Sequence, residues 1–232
     1  MIFITLAKTP LYCDNRCMTL VKKKELLDTF FKAHTRLQYK KGETIIRPED
    51  EPSGVFLIEW GFVKAYTITK YGEENLLIAR NTGGIFPLIW AFTGEHRAIT
   101  YEAMEPTSLW RASKTDYLEF LEKHPEIMPV ILDMSVEAYR LHSERVMTLC
   151  YRTARERIIS FLVANAKRFG EENEKGCVTI MAPFKQSDIA SSVNATRETT
   201  SREINALKKK GLVKTKNGHI TICEIETLRS AL

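Results

Sequence analysis

Gln186-Ser187-Asp188-Ile189-Ala190-Ser191-Ser192-Val193-Asn194-Ala195-Thr196-Arg197-Glu198-Thr199-Thr200-Ser201-Arg202-Glu203-Ile204-Asn205-Ala206-Leu207 is the most informative stretch of the chain. Ile189, Val193, Thr200, Ile204 and Leu207 fall at helical spacing on either side of Asn194-Ala195, so the pattern is helix, tight turn, helix. Asn194 stands where the turn needs a residue that tolerates the left-handed region, and Thr196 can cap the second helix. With the apolar positions inward, the opposite face carries Arg197, Glu198, Ser201, Arg202 and Asn205. Arginine can donate a bidentate pair to guanine O6 and N7, and glutamate can accept from cytosine N4. The start of the second helix is where such motifs meet base edges. Gln186, Thr196 and Thr199 flank this face and complete the candidate DNA contacts. The competing structural reading is that Glu198 and Arg202 form an i,i+4 pair, as on any exposed helix.

The flanks agree with a nucleic-acid reading. After Lys208-Lys209-Lys210 and Gly211, two alternating runs enclose Asn217-Gly218, the strongest short hairpin signal. Lys214 and Lys216 on this wing can neutralise phosphates. Upstream, Ala154 to Arg168 reads as a helix, Glu171 to Lys175 as a flexible polar loop, and Val178–Met181 as a short strand. From Arg152 onward there are 15 lysines and arginines against 9 acidic residues, whereas the preceding part carries 19 against 20. This places the basic surplus on the DNA-reading end, although a solvated lysine-rich surface has the same composition.

The first half has a different texture. Thr44–Arg47, Val55–Glu59, Phe62–Thr67, Leu76–Ala79, Ile99–Ala103 and Leu109–Arg111 read as strands separated by glycine and proline turns, the spacing of a barrel or roll. From Pro125 to Leu149 no glycine occurs, and two apolar stripes run along the segment. Ile127, Ile131, Met134, Ala138 and Leu141 form one; Leu132, Val136, Tyr139, Val146 and Leu149 form the other. A helix apolar on two sides has two neighbours: its own β-unit and a second copy of itself, or the core of a monomer.

Length and composition set bounds. At 232 residues, 44% hydrophobic and 27% charged, the chain suits two folded units. No run approaches the roughly 18 apolar residues needed to span a bilayer, and the Ile2–Ala7 stretch is too short for a signal-peptide core. Five scattered cysteines, Cys13, Cys17, Cys150, Cys177 and Cys223, lack the density of a secreted disulfide scaffold, so a reducing cytoplasm is expected and the cysteines are read as free thiols. A redox disulfide involving Cys13 or Cys17 stays open.

At Thr196-Arg197-Glu198-Thr199-Thr200-Ser201-Arg202 the chain resembles the recognition helix of the Crp–Fnr family of transcription regulators. The resemblance runs from about Thr35 to Ile222. Val55-Phe56-Leu57-Ile58-Glu59-Trp60-Gly61-Phe62-Val63-Lys64 is similar to the family's β-roll signature, His124-Pro125-Glu126-Ile127 to the opening of its dimerisation helix, and Ala154-Arg155-Glu156-Arg157-Ile158 to its DNA-domain scaffold helix. It implies an α+β fold with an N-terminal β-roll, a cyclic-nucleotide-binding-like jelly roll, then a long dimerisation helix and a C-terminal winged helix-turn-helix. The expected divisions are 1–124, 125–150 and 151–232. Function follows by implication: a homodimer reading a two-fold-related promoter site, with an effector in the β-roll and RNA polymerase as a further partner if the chain activates. Arg197, Glu198, Ser201 and Arg202 combine two half-site patterns of the family, which implies a G·A step.

The effector is less legible. The family's nucleotide cassette needs Gly-Glu for ribose and Arg-Ser for phosphate, but this chain has Pro87-Leu88 and Arg97-Ala98 at the matching places. Cyclic AMP is therefore not expected. Trp90, Phe92, Arg97 and Tyr101 are the candidate effector residues, suited to a hydrophobic or aromatic ligand. Tyr101 to Thr107 resembles the members that sense halogenated phenols, while the plain alternative makes these aromatics β-roll core. Iron–sulfur ligation needs four ligands with a tight N-terminal cluster, whereas Cys13 and Cys17 supply only two and Cys150 falls at the end of the long helix rather than in the β-roll. His34, His96, His124, His142 and His219 show no metal-ligand spacing, and no nucleophile elbow or phosphate-binding glycine loop appears, so no enzyme is expected. The remaining alternative is a small-molecule receptor or protein-interaction module that does not bind DNA.

Overall fold

The computed structural model describes residues 15–174, 176–216, 218–230 and 232. Its first half comprises helix α1 (Asn15–Lys32) and strands β1 (Thr35–Tyr39), β2 (Thr44–Ile46), β3 (Val55–Trp60), β4 (Val63–Ile68), β5 (Glu74–Arg80) and β6 (Ile85–Phe86). Helix α2 (Leu88–Thr93), strands β7 (Thr100–Ala103) and β8 (Thr107–Ala112), and helix α3 (Lys114–Lys123) complete it. Two antiparallel sheets, ordered β1-β8-β3-β6 and β2-β7-β4-β5, form the roll.

The apolar run Val55-Phe56-Leu57-Ile58 does not alternate because both faces of β3 are covered. Val55 and Leu57 pack with Leu27, Phe31, Tyr117 and Leu121 of α1 and α3. Phe56 and Ile58 face the roll interior with Ile46, Val63, Phe86 and Leu109. Between β3 and β4 the chain must be glycine at Gly61. Its φ is 99°, and a Cβ there would lie 2.5 Å from Thr107 Oγ1 and 2.9 Å from Thr107 Cα.

A 3-10 turn (Pro125–Ile127) leads into α4 (Met128–Tyr151), with Pro129 in the first turn, where its missing N–H breaks no helical bond. The two stripes of this helix have different fates. Ile127, Val130 and Ile131 are buried against α1 and α3. Leu132 and Tyr139 are 60% and 75% exposed, and Val136 and Val146 are exposed with them.

The second half contains α5 (Ala154–Phe169), β9 (Gly170–Glu172), β10 (Val178–Ile180), α6 (Gln186–Ser192), α7 (Arg197–Lys209), β11 (Val213–Lys216), β12 (His219–Ile222) and α8 (Ile225–Arg229). Thr153 and Glu156 form a reciprocal capping box at the start of α5. The flexible loop expected over Glu171 to Lys175 begins as a hairpin arm, with Gly170 and Glu172 paired to Ile180 and Val178 in a sheet ordered β11-β12-β10-β9, while Asn173 and Glu174 lie in the turn. Polar side chains there hid a strand whose stability comes from ladder bonds. Two cysteines are also not free thiols, because Cys177 and Cys223 form a disulfide beside the Val178–Ile222 pair. Cys150 is free and exposed, while Cys13 and the side chain of Cys17 lie outside the described residues.

The two halves share a core. Leu76, Ala79 and Met104 of the roll pack with Ile158, Leu162, Ile189 and Val193. At this seam the Lys64 ammonium, only 4% exposed, meets Asp188 Oδ1 at 3.2 Å, Glu74 Oε2 at 3.0 Å and Glu102 Oε1 at 3.5 Å. Nearby, Arg145 donates to Ser192 O at 2.9 Å and to Asn75 Oδ1 at 2.6 Å, and Arg168 donates to Ala79 O at 2.8 Å.

Candidate functional site

Helix α7 is amphipathic and stands on the scaffold below it. Thr200, Ile204 and Leu207 are buried, and Ile189 and Val193 of α6 lie in the same core. The turn between α6 and α7 closes at Asn194, whose φ is 49°, and Thr196 Oγ1 accepts the Thr199 N–H at 3.1 Å, so both helix ends follow from residue chemistry. Arg197, Glu198, Arg202 and Asn205 are exposed on the outer face, with Ser201 half-buried between them and Thr196 exposed at the cap. Gln186 is exposed at the first residue of α6.

The expected structural alternative, an ion pair between Glu198 and Arg202, does not form. Arg202 instead lies 3.6 Å from Glu203 Oε1, and Arg197 has no side-chain partner among the described residues. A bond from its own backbone N–H, followed by one from the Thr196 hydroxyl, holds the Glu198 carboxyl below its ordinary range. It is therefore an ionised acceptor.

Glu203 was not among the sequence candidates, yet it anchors the helix. Its carboxylate, 13% exposed, takes a 2.7 Å bond from Arg155 Nε of α5, and that guanidinium is the first cause of its lowered pKa. Only the packing of α5 against α7 could reveal this pair, since the residues are 48 positions apart.

On the wing, Lys214 and Lys216 are exposed at alternate positions of β11, so they share one face, opposite Thr221 and His219 of β12. The Asn217 half of the expected turn lies outside the described residues, while Gly218 takes the positive φ of 82° that such a turn uses.

The four sensor candidates do not gather in one place. Trp90 is buried with Tyr117, beneath the Lys114 ammonium at 4.9 Å, and Phe92 meets Tyr117 edge-on at 6.3 Å. Tyr101 lies on the other side, stacked on Phe86 at 4.8 Å, and Phe86 stacks in turn on Phe56. Arg97 shares the Tyr101 side: both Arg80 and Arg97 act electrostatically on the Tyr101 phenol, which burial pushes up.

That side holds residues the sequence did not single out. Loss of solvent first, then Arg145, Arg80, Arg97 and Arg168, push the His142 imidazole of α4 below its usual value. Burial and then Arg80 depress Arg168 to about 10. Among the described residues none of these four arginines has a carboxylate within ion-pair distance, so positive charge accumulates where the roll, α4 and α5 meet.

Similarity to known proteins follows the same division. Residues 36–124 match the model of the cyclic nucleotide-binding domain, and residues 156–231 that of the Crp-like helix-turn-helix domain. The global nitrogen regulator of Synechococcus elongatus is 27% identical over 190 residues, covering 80% of this chain and 84% of that protein. The electron transport regulator A of Shewanella oneidensis is 24% identical, covering 80% and 73%. The solved structure of a CooA mutant from Carboxydothermus hydrogenoformans superposes with a TM-score of 0.73 at 22% identity, covering 88% of this chain and 89% of that one. With a sensor-type roll, a long helix and a winged helix-turn-helix in this order, the chain belongs to the Crp–Fnr family of DNA-binding transcription regulators.

Proposed function

We infer that the protein acts as a homodimer on a two-fold-related promoter site, with Arg197, Glu198, Ser201 and Arg202 reading bases and Thr196, Thr199, Gln186, Lys214 and Lys216 supporting them on the backbone. The single observation carrying this reading is the α7 outer face, whose charged groups are held on a buried scaffold without neutralising one another. It works in three parts, residues 1–124, 125–150 and 151–232, as a binding protein in the cytoplasm and not as an enzyme. RNA polymerase is the further partner if it activates. Among the described residues no helix is long and apolar enough to cross a membrane.

The exposed α4 stripe supports self-pairing, because Leu132, Val136, Tyr139 and Val146 repeat along one side at steps of four, three and seven residues. Replacing Leu132 and Val136 together with glutamate adds charge where this chain buries nothing, so the protomer keeps its fold and loses its partner. Sedimentation should show the parent as a dimer at micromolar concentration and the variant as a monomer; a monomeric parent, alone and on DNA, would exclude the dimer.

For the effector, the aromatic stack of Tyr101 on Phe86 beside Arg80, Arg97 and His142 supports an acidic aromatic ligand, such as a halogenated phenolate, over a cyclic nucleotide. Trp90 and Phe92 would act from the neighbouring cluster, on the α2 side of the same roll. Calorimetric titration with cyclic AMP should give no micromolar binding and no change in DNA affinity, while a chlorinated phenol should bind and lose affinity at least tenfold in Arg97→Ala. Cyclic-AMP binding that tightens DNA binding would overturn this assignment.

A further inference from the structure

Cys177 and Cys223 face one another just before β10 and just after β12, with Cα atoms 4.0 Å apart, next to the paired residues Val178 and Ile222. Neither backbone N–H points at the other cysteine. Cys177 N donates to Asn173 Oδ1 at 3.1 Å and Cys223 N to Leu212 O at 3.3 Å, so the two form the closely spaced, non-hydrogen-bonded kind of cross-strand pair. The backbone bonds around the pair do not involve the sulfur bond, so the ladder does not depend on it. Both residues are only half-buried, within reach of small thiols.

The bridge is placed where covalent closure matters. It joins residues 46 apart, and the loop between them contains α6, α7, β11 and β12, including every DNA-contact candidate in this chain. Closing that loop removes freedom from the opened DNA-reading unit while leaving its folded geometry unchanged.

We propose that Cys177 and Cys223 are a reversible thiol–disulfide exchange site whose oxidation, by a low-molecular-weight disulfide, makes the DNA-reading unit more resistant to unfolding. One cysteine thiolate attacks a sulfur of glutathione disulfide, forming a mixed disulfide and releasing one glutathione thiolate. The second cysteine thiolate then attacks the protein-side sulfur, forming the Cys177–Cys223 bond and releasing the second glutathione. Two electrons pass from the cysteine pair to glutathione disulfide, and the two thiol protons leave to solvent or to the departing thiolates. A dithiol reverses the sequence.

The test uses the full chain, incubated with glutathione disulfide or with dithiothreitol, and also a variant with Cys13, Cys17 and Cys150 replaced by serine so that only this pair remains. Mass spectrometry quantifies the Cys177–Cys223 linked peptide, and DNA binding is followed against urea. The linked peptide should form and disappear reversibly, and oxidation should raise the urea midpoint for loss of DNA binding by on the order of 1 M, from the loop length and the usual urea slope. The shift should persist in the three-serine variant and vanish in Cys223→Ser. Absence of the linked peptide, equal midpoints in the two redox states, or a shift that survives in Cys223→Ser would each overturn the proposal. The comparison of oxidised with reduced parent protein needs no variant to fold.

Discussion

Replacing Lys64 with methionine is expected to lower stability by about 3–5 kcal/mol, because it leaves a buried carboxylate without its counter-charge. Asp188, 3% exposed, is the most deeply buried of the three acidic partners and comes from the DNA-reading half, whereas Glu74 and Glu102 belong to the roll. Asp188 has a second duty, since its other oxygen accepts the Lys185 N–H at 2.8 Å at the start of α6. One ammonium therefore holds together two sheet strands and the first helix of the DNA-binding motif. Burial pulls the Lys64 pKa down, but the carboxylates, Asp188 foremost, outweigh it and leave it above its ordinary value. With the folded pKa above the unfolded one, the Lys64 contribution is fully present below about pH 10, as long as its carboxylate partners stay ionised, and is lost as pH rises through the folded value. Urea unfolding at neutral pH, with and without salt, checks the magnitude. The Asp188→Asn change in the Lys64→Met background should recover part of the loss by removing the orphaned charge. A loss under about 1 kcal/mol, or one abolished by moderate salt, would show the pair to be a screened surface contact.

Arg197→Ala and Arg202→Ala should each cost about 1–3 kcal/mol per half-site on specific DNA and relax preference at one base position, an effect counted twice in a dimer. The physical basis is that each guanidinium is exposed and not bound to the Glu198 carboxylate; Arg197→Ala frees no ion pair among the described residues, and Arg202→Ala gives up only the exposed 3.6 Å pair with Glu203, which Arg155 still holds. Lys214→Ala and Lys216→Ala should weaken specific and random DNA about equally and flatten the salt dependence by roughly one unit per lost phosphate contact. Glu203→Gln separates positioning from reading: it loosens the Arg155 tether and should weaken specific binding while leaving the salt slope unchanged. Binding would be compared across an operator, its single-base variants and random DNA at several salt concentrations. Base preference lost in the lysine variants and retained in both arginine variants would reverse the assignment of reader and anchor.

The DNA-reading elements were legible because their signals are local. A capping threonine, a left-handed asparagine and apolar spacing act within one or two turns of chain, and the buried set Ile189, Val193, Thr200, Ile204 and Leu207 is the one that periodicity selects. The roll was legible where strands border glycine turns. Helices α1 and α3 and strand β1 were not singled out, since α1 mixes lysines with its apolar positions and β1, although Leu37 and Tyr39 alternate with Arg36 and Gln38, is only five residues long. The sequence groups Trp90 and Tyr101 in one pocket because both are aromatic and lie within or just beyond the stretch that matches the family's nucleotide cassette. A short helix, α2, begins between β6 and β7 and sends Trp90 towards α3, while Tyr101 stays in the roll.

The sequence by itself determined the order of the parts, which face of α7 is exposed and the two-sided apolar character of α4, because each depends on spacing along the chain. Only the tertiary structure decided which α4 stripe is left uncovered, that Lys64 joins the roll to Asp188 across 124 positions, that Arg80, Arg97, Arg145 and Arg168 act electrostatically on His142, and that Cys177 meets Cys223. These are encounters between side chains on different elements. Their energies depend on burial and distance after the chain has packed, and no local periodicity carries that information.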